Sequence, residues 1–316
     1  GSRPLPVVIA LHGYGTTATG LASAHAINVH ANANDYIVVY PQGAGFYSRV
    51  AWQEGEDLVS SWIVRASHAP TEAGPHCLPD RLEYPCYTEC GECKACDWTS
   101  CEDDVGFLLS ITEALKQSLF TDPSRFYLLG NSNGGSMVQR LSCDHPGHFA
   151  AAGIMIYQMP PGHACGPGET LPLFHYYGEQ DDGVPPDGKP SSDGWVYTSA
   201  AENTRVWAES MGCNASSSPW HTELTRRHGL DCEAYTHCPS KDAAVVSCGD
   251  PAAGHEWAAQ RISAIPADCV APAQRQDLPR QPDCPAISPT EKRWGLEVVW
   301  QFFRQYSRTP ALVSLQ

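Results

Sequence analysis

Ser132 stands in Gly130-Asn131-Ser132-Asn133-Gly134. An apolar, β-prone run stops at Gly130, and a helical pattern through Ser136, Met137, Val138 and Leu141 follows. G-x-S-x-G between a strand and a helix is the setting of a nucleophile elbow. The glycines permit backbone angles and close approaches that a side chain would block. Ser132 then projects clear of the sheet. The Asn133 N–H lies at the helix N-terminus, where a developing oxyanion is stabilised. The competing reading is turn chemistry, which also favours Gly, Asn and Ser.

A serine hydroxyl attacks only with a base beside it and an acid behind the base. On an elbow of this kind the chain order is Ser, acid, His. His221, His228, His237 and His255 lie beyond the fifth apolar run. His255, in "AAGHEW", follows the sixth run on a turn and can reach back over a sheet. The other three sit in polar, Cys-flanked sequence and read as solvated. The acid is expected after the fifth run, where "FHYYGEQDDGVP" offers Glu179, Asp181 and Asp182. Residue types alone leave all three open, since Asp-Asp-Gly is also ordinary turn chemistry. The second oxyanion donor is expected on the loop after the first run, "LHGYG", with the Tyr14 N–H as candidate. His12 reads as a brace for that loop rather than a catalytic group.

These residues need a scaffold. Val7–Leu11, Ile37–Tyr40, "RFYLLG", "AAGIMIYQ", "LPLFHYYG" and "AAVVSCG" are continuous apolar runs. Continuity rather than alternation predicts strands buried on both faces, as in a parallel sheet. Between them lie helical patterns. One carries Val105, Leu108, Leu109, Thr112 and Leu115 on a stripe, with Thr99 and Glu102 as a capping box. Another starts with Ser199 and Glu202. A third takes Ser288 as cap, Pro289 at its first position and Glu291 at N3, with Trp294, Val298 and Phe302 on its apolar side. The alternation predicts one α/β domain over residues 1–316. A Cys-rich insertion at about 53–98 and a Pro-rich one at about 258–287 interrupt it. No internal repeat is present.

Composition narrows the setting. Net charge is −15, so nucleic acid and acidic lipid surfaces are poor partners. No apolar run is long enough for a membrane span. Fourteen cysteines point to secretion and disulfides, since such density is rare where thiols stay reduced. Cys86, Cys90, Cys93, Cys96 and Cys101 also have spacings that zinc or an iron–sulfur cluster uses. The nine other cysteines favour disulfides, and no metal is expected. Asn214 in "NAS" is a glycosylation acceptor pattern. The opening "GSRPLPVV" shows no leader and reads as a mature or trimmed form.

Together "VVIALHGYGTT", "DYIVVYPQG", "CEDDVGFL", "DPSRFYLLGNSNGGSM", "GEQDDGVP" and "GHEW" resemble, in order, the secreted polyhydroxybutyrate depolymerase-like and feruloyl esterase-like α/β hydrolases of carbohydrate esterase family 1. The resemblance implies the α/β-hydrolase fold, a mostly parallel sheet with helices on both faces and here disulfide-rich insertions. Laid on Gly178–Pro185, the family's acid falls on Asp181, with Glu179 where a threonine is common. Its histidine falls on His255. The implied machinery is Ser132, His255 and Asp181 with the Tyr14 and Asn133 amides, without a cofactor. The implied activity is hydrolysis of carboxylic esters, feruloyl or acetyl on polysaccharide; a monomer is expected. Trp52, Trp195 and Trp257, with Phe46, are candidate stacking surfaces, although core burial is the favoured role for any one of them. The rival readings are a polyester depolymerase with the same residues and a non-catalytic binding protein.

Overall fold

A computed structural model describes residues 3–50, 54–63, 72–87, 90–91, 93, 96–98, 100–168, 171–214, 216–239, 244–257, 268–272, 276–286 and 294–308. The first half of the chain forms β1 (Leu5–Leu11), α1 (Ala18–Ala24), α2 (Ile27–Asn34), β2 (Ile37–Val39), β3 (Gly45–Arg49), β4 (Glu56–Ser60), α3 (Asp104–Lys116), β5 (Thr121–Asn131) and α4 (Asn133–Asp144). The second half forms β6 (Ala151–Met155), β7 (Leu173–Gly178), α5 (Ala200–Ser210), β8 (Ser218–Pro219), α6 (Glu223–Arg227), β9 (Asp231–Tyr235), β10 (Val245–Asp250) and α7 (Trp294–Phe303).

Each continuous apolar run forms a strand, and these strands pair in parallel in the order β2-β1-β5-β6-β7-β10. The period of two sorts their side chains onto two cores. Val7, Ile9, Leu11, Phe126 and Leu128 pack on one face with Leu108 of α3, Met137, Val138 and Leu141 of α4 and Trp207 of α5. Val8, Ala10, Tyr127 and Leu129 face the other core, with Leu21 of α1, Ile27 of α2 and Leu296, Val299 and Phe303 of α7. The fold is therefore a mostly parallel α/β sheet with helices on both faces, as expected. Two antiparallel strands extend it, β9 beside β10 and β8 beside β9. Among the described residues no helix is long and apolar enough to cross a membrane.

Local details differ from the sequence reading. The α3 helix starts at Asp104, and Asp103 caps it by accepting from the Gly106 N–H at 2.9 Å. "TSCEDD" offers several acceptors, and the one three residues before an unpaired N–H takes the role. Thr99 lies outside the described residues, as do Ser288, Pro289 and Glu291 at the start of the last helix. Ser199 caps α5 as expected, accepting from the Glu202 N–H. Residues 56–60, placed by composition inside the Cys-rich insertion, form β4, paired antiparallel with β3. Leu58 and Val59 are buried there, and Trp62 just beyond is fully buried.

All fourteen cysteines are paired: 77–96, 86–93, 90–101, 143–165, 213–238, 232–248 and 269–284. The sulfurs of Cys86, Cys90 and Cys93 lie within 4.8 Å of one another because two of these bridges adjoin. Three pairs lie within residues 77–101. Cys232–Cys248 joins directly opposed residues of β9 and β10. The second insertion docks on the β3–β4 hairpin. Val270 and Leu278 pack on Leu58, and the Thr17 hydroxyl donates to the Cys269 carbonyl.

Candidate active site

Parallel strands deliver their C-terminal ends to one edge of the sheet, where ligand sites of such folds form. Here β1, β5, β7 and β10 deliver the His12–Tyr14 loop, Ser132, Asp181 and His255. The elbow after β5 is sterically enforced. Ser132 has φ 54° and ψ −119°, a region that costs a non-glycine residue about 1–3 kcal/mol. Its neighbours hold it there. The Ser132 N–H donates to the Met155 carbonyl at 2.9 Å, and the Ser136 N–H donates to the Ser132 carbonyl at 3.1 Å. A Cβ at Gly130 would sit 2.2 Å from the Gly134 carbonyl oxygen, and one at Gly134 2.3 Å from that of Leu11. Only glycine allows strand, turn and helix to approach this closely.

The three candidate triad residues meet. Asp181 Oδ2 lies 2.8 Å from His255 Nδ1, and His255 Nε2 lies 2.9 Å from Ser132 Oγ. An ionised carboxylate only accepts, so Nδ1 carries the proton and Nε2 is free to receive the Ser132 hydroxyl proton. The Asp181 side chain is 1% exposed and that of His255 36%. Asp181 Oδ1 accepts from the Gly183 and Val184 N–H groups at 2.9 and 2.8 Å. Its burial is thus offset by three donors, and one oxygen is left facing the imidazole. Glu179 and Asp182, the other acids the residues left open, are exposed. The loops carrying acid and base lock together. The Gln180 N–H donates to the Ala253 carbonyl at 2.9 Å, and a Cβ at Gly178 would sit 2.2 Å from the Gly254 carbonyl oxygen. His221 and His237 are exposed, and His228 stacks on Trp294 at 4.3 Å.

The loop after β1 lies against the elbow: a Cβ at Gly13 would come within 3.4 Å of Ser132 Cβ. His12 is fully buried. Its Nε2 accepts from the Gly43 N–H at 2.9 Å, so Nδ1–H donates to the Gly13 carbonyl at 2.8 Å. The Thr16 hydroxyl donates to that same carbonyl at 2.9 Å. This carbonyl and the Tyr14 N–H belong to one planar peptide unit. Holding the oxygen therefore aims the N–H. His12 braces the candidate donor, as the sequence anticipated. The Tyr14 ring packs edge-on against Tyr84 at 5.1 Å, and burial raises its hydroxyl's pKa above the ordinary value.

Trp195 and Trp257 take the core role and not the stacking one. Trp195 is fully buried, with its ring 4.0 Å from that of Trp98. Trp257 is 1% exposed and lies on the His25 ring at 4.4 Å. Neither presents a face to a substrate, because both fill core beneath loops. Trp52 lies outside the described residues, and Phe46 is half-buried against Tyr87. Asn214 and Ser216 of the glycosylation pattern are exposed.

Two neutral histidines buttress this edge. Burial lowers the pKa of His12 to about 4, and likewise that of His175, whose ring bridges the Tyr157 carbonyl and Ser247. An unfolded chain takes up these protons near the ordinary histidine value of about 6.5. Between that pH and about 4 the unfolded state binds more protons, so stability present at neutral pH is lost as pH falls. Each histidine contributes up to ~3 kcal/mol to that loss. Urea midpoints measured with disulfides intact are expected to drop steadily from pH 7 to pH 4.5; a flat profile would contradict the neutral, buried assignment.

No family model matches the chain. It is 26% identical over 184 residues to NocK of Nocardia uniformis subsp. tsuyamanensis, which carries the provisional name of an esterase. That match covers 58% of this chain and 42% of NocK, so the chain spans less than half the length of that relative. Among solved structures it is similar to an acetyl xylan esterase from Aspergillus awamori (TM-score 0.48, 15% identity, 80% of this chain and 85% of that one). It is also similar to SOBER1 of Arabidopsis thaliana (TM-score 0.44, 10% identity, 95% and 98%).

Proposed function

We propose that the protein is a secreted serine esterase. The observation that carries this reading is the continuous line from Asp181 through His255 to Ser132, at 2.8 and 2.9 Å. Ser132 Oγ attacks the ester carbonyl as His255 Nε2 takes its proton. The carbonyl oxygen becomes an oxyanion held by the Tyr14 and Asn133 N–H groups. His255 returns the proton to the leaving alcohol, and Asp181 stabilises the imidazolium in between. Water then attacks the acyl-enzyme by the same route in reverse. The partial identity to NocK supports esterase chemistry. Seven disulfides and the exposed Asn214 and Ser216 of the glycosylation pattern support secretion.

For substrate we infer feruloyl or acetyl esters on polysaccharide, on the strength of the sequence motifs. A polyester depolymerase needs an exposed apolar surface beside its serine. Among the described residues the two most exposed large apolar side chains, Leu119 and Phe120, at 91% and 70%, precede β5 at its N-terminal end. Ser132 follows the other end, beyond the six register steps that separate Thr121 from Gly130 along β1, a further ~20 Å at ~3.3 Å per step. This placement favours the polysaccharide reading. Methyl ferulate, acetylated xylan and a polyhydroxybutyrate film assayed side by side provide the test. Turnover of the ferulate or the xylan, at least ~10-fold above release from the film, is expected. Hydrolysis of the film alone would replace this substrate reading, and hydrolysis of none would leave a binding protein.

A further inference from the structure

Trp62 lies between the two proposed oxyanion donors and touches the element that carries each. The indole is fully buried. Its Nε1–H donates to the His12 carbonyl at 2.9 Å, and its ring lies 5.0 Å from the His12 imidazole. His12 in turn holds the carbonyl of the peptide that bears the Tyr14 N–H. On the other side, the Trp62 backbone N–H donates to Asn133 Oδ1 at 2.8 Å, and Asn133 Nδ2 donates back to the Trp62 carbonyl at 3.3 Å. Asn133 carries the second donor on its own backbone.

The next residue anchors this pair. The Ile63 N–H donates to Asp104 Oδ2 at 2.6 Å, and Arg140 donates to the Ile63 carbonyl at 3.0 Å. Asp104 also accepts from the Ser100 hydroxyl at 2.6 Å. The acidic pair at the start of α3 thus has a place in the site: Asp103 caps the helix and Asp104 holds residue 63.

We propose that Trp62 is a positioning residue that sets the spacing of the Tyr14 and Asn133 amides, with Asp104 as its outer anchor. The proposal rests on the esterase reading above. Oxyanion donors act only within about 2.7–3.1 Å of the developing charge, and misplacement by about 1 Å costs on the order of 10²-fold. The charge exists only in the transition state, so loosening the spacer lowers kcat and leaves KM nearly unchanged.

The test is Trp62→Phe, which keeps a ring and removes the donor to His12, assayed on p-nitrophenyl acetate per mole of folded enzyme. A trifluoromethyl ketone is the second probe. Ser132 adds to its carbonyl, the proton passes to His255, and the resulting oxyanion sits between the two amides. We expect kcat to fall about 10- to 100-fold with KM within about threefold, and ketone affinity to fall by the same factor as kcat. Should Trp62→Phe not fold, Asp104→Asn is expected to shift both quantities together, by severalfold. An unchanged kcat, or a fall in kcat without a matching loss of ketone affinity, overturns the proposal. Full activity in Ser132→Ala would instead overturn the esterase reading, whatever Trp62→Phe shows.

Discussion

Replacing Ser132 with alanine is expected to lower kcat for a p-nitrophenyl ester by on the order of 10⁴ or more while leaving the fold intact. The nucleophile is lost outright, and the exposed, polar Glu179 and Asp182 nearby are not held against His255. The fold should survive because nothing structural depends on the hydroxyl. Its partner is the partly exposed His255 ring, and alanine occupies the same backbone angles as serine at the elbow. Glycines 130 and 134 and the Met155 hydrogen bond still set the turn. A stability change within ~0.5 kcal/mol is expected, as for substitutions that break no buried contact. The residual rate comes from the oxyanion donors and substrate binding, which the substitution leaves in place. Steady-state kinetics beside a thermal melt checks both halves.

Asp181→Asn is expected to cost almost as much, again on the order of 10⁴ at neutral pH, with little loss of binding. The reason is a tautomer. Oδ1 of Asp181 accepts two backbone N–H groups, so the amide oxygen of asparagine takes that place. The NH₂ group then faces His255 Nδ1 and donates to it. That nitrogen loses its proton to Nε2, which now points a hydrogen at Ser132 and can accept none. Geometry is kept while the base is switched off. If Asp182 or Glu179 were the working acid, Asp181→Asn would leave kcat within a few-fold and the loss would follow one of those residues instead.

The scaffold was legible because burial on both faces writes itself as unbroken apolar runs, and all of those runs became parallel strands. Strands of other kinds were not. Asp231–Ala234 alternates exposed and buried residues near the sheet's far side, and four residues of alternation are weak against a Cys-flanked background. The β3–β4 hairpin hides its second strand inside polar sequence. Ser132 and His255 could be found from local context, since an elbow and a turn after a strand constrain one residue each. The acid could not. "GEQDDGVP" places three carboxylates within four positions, and the family motif chose among them. In the structure Asp181 accepts from the N–H groups two and three residues on, which turns it inward, while Glu179 and Asp182 lie exposed. Aromatic roles were the least legible. Trp195, Trp257 and Trp62 all lie in irregular segments, where no period says which way a side chain points. Two fill core and one links the elbow to the loop that faces it. Trp62 drew no notice because no motif surrounds it, and its meaning lies in the Asn133 side chain and the His12 carbonyl, 71 and 50 positions away.

The central claim is that Ser132 is a nucleophile activated by His255. A fluorophosphonate probe tests it most directly, since the serine oxygen displaces fluoride and stays bonded to phosphorus. After incubation and digestion, peptide mass spectrometry should find one adduct, on the peptide containing Ser132, at close to one per chain. The adduct should be absent in Ser132→Ala and slowed by several orders of magnitude in His255→Ala. An adduct on another residue, or none in protein that hydrolyses esters, would contradict the account.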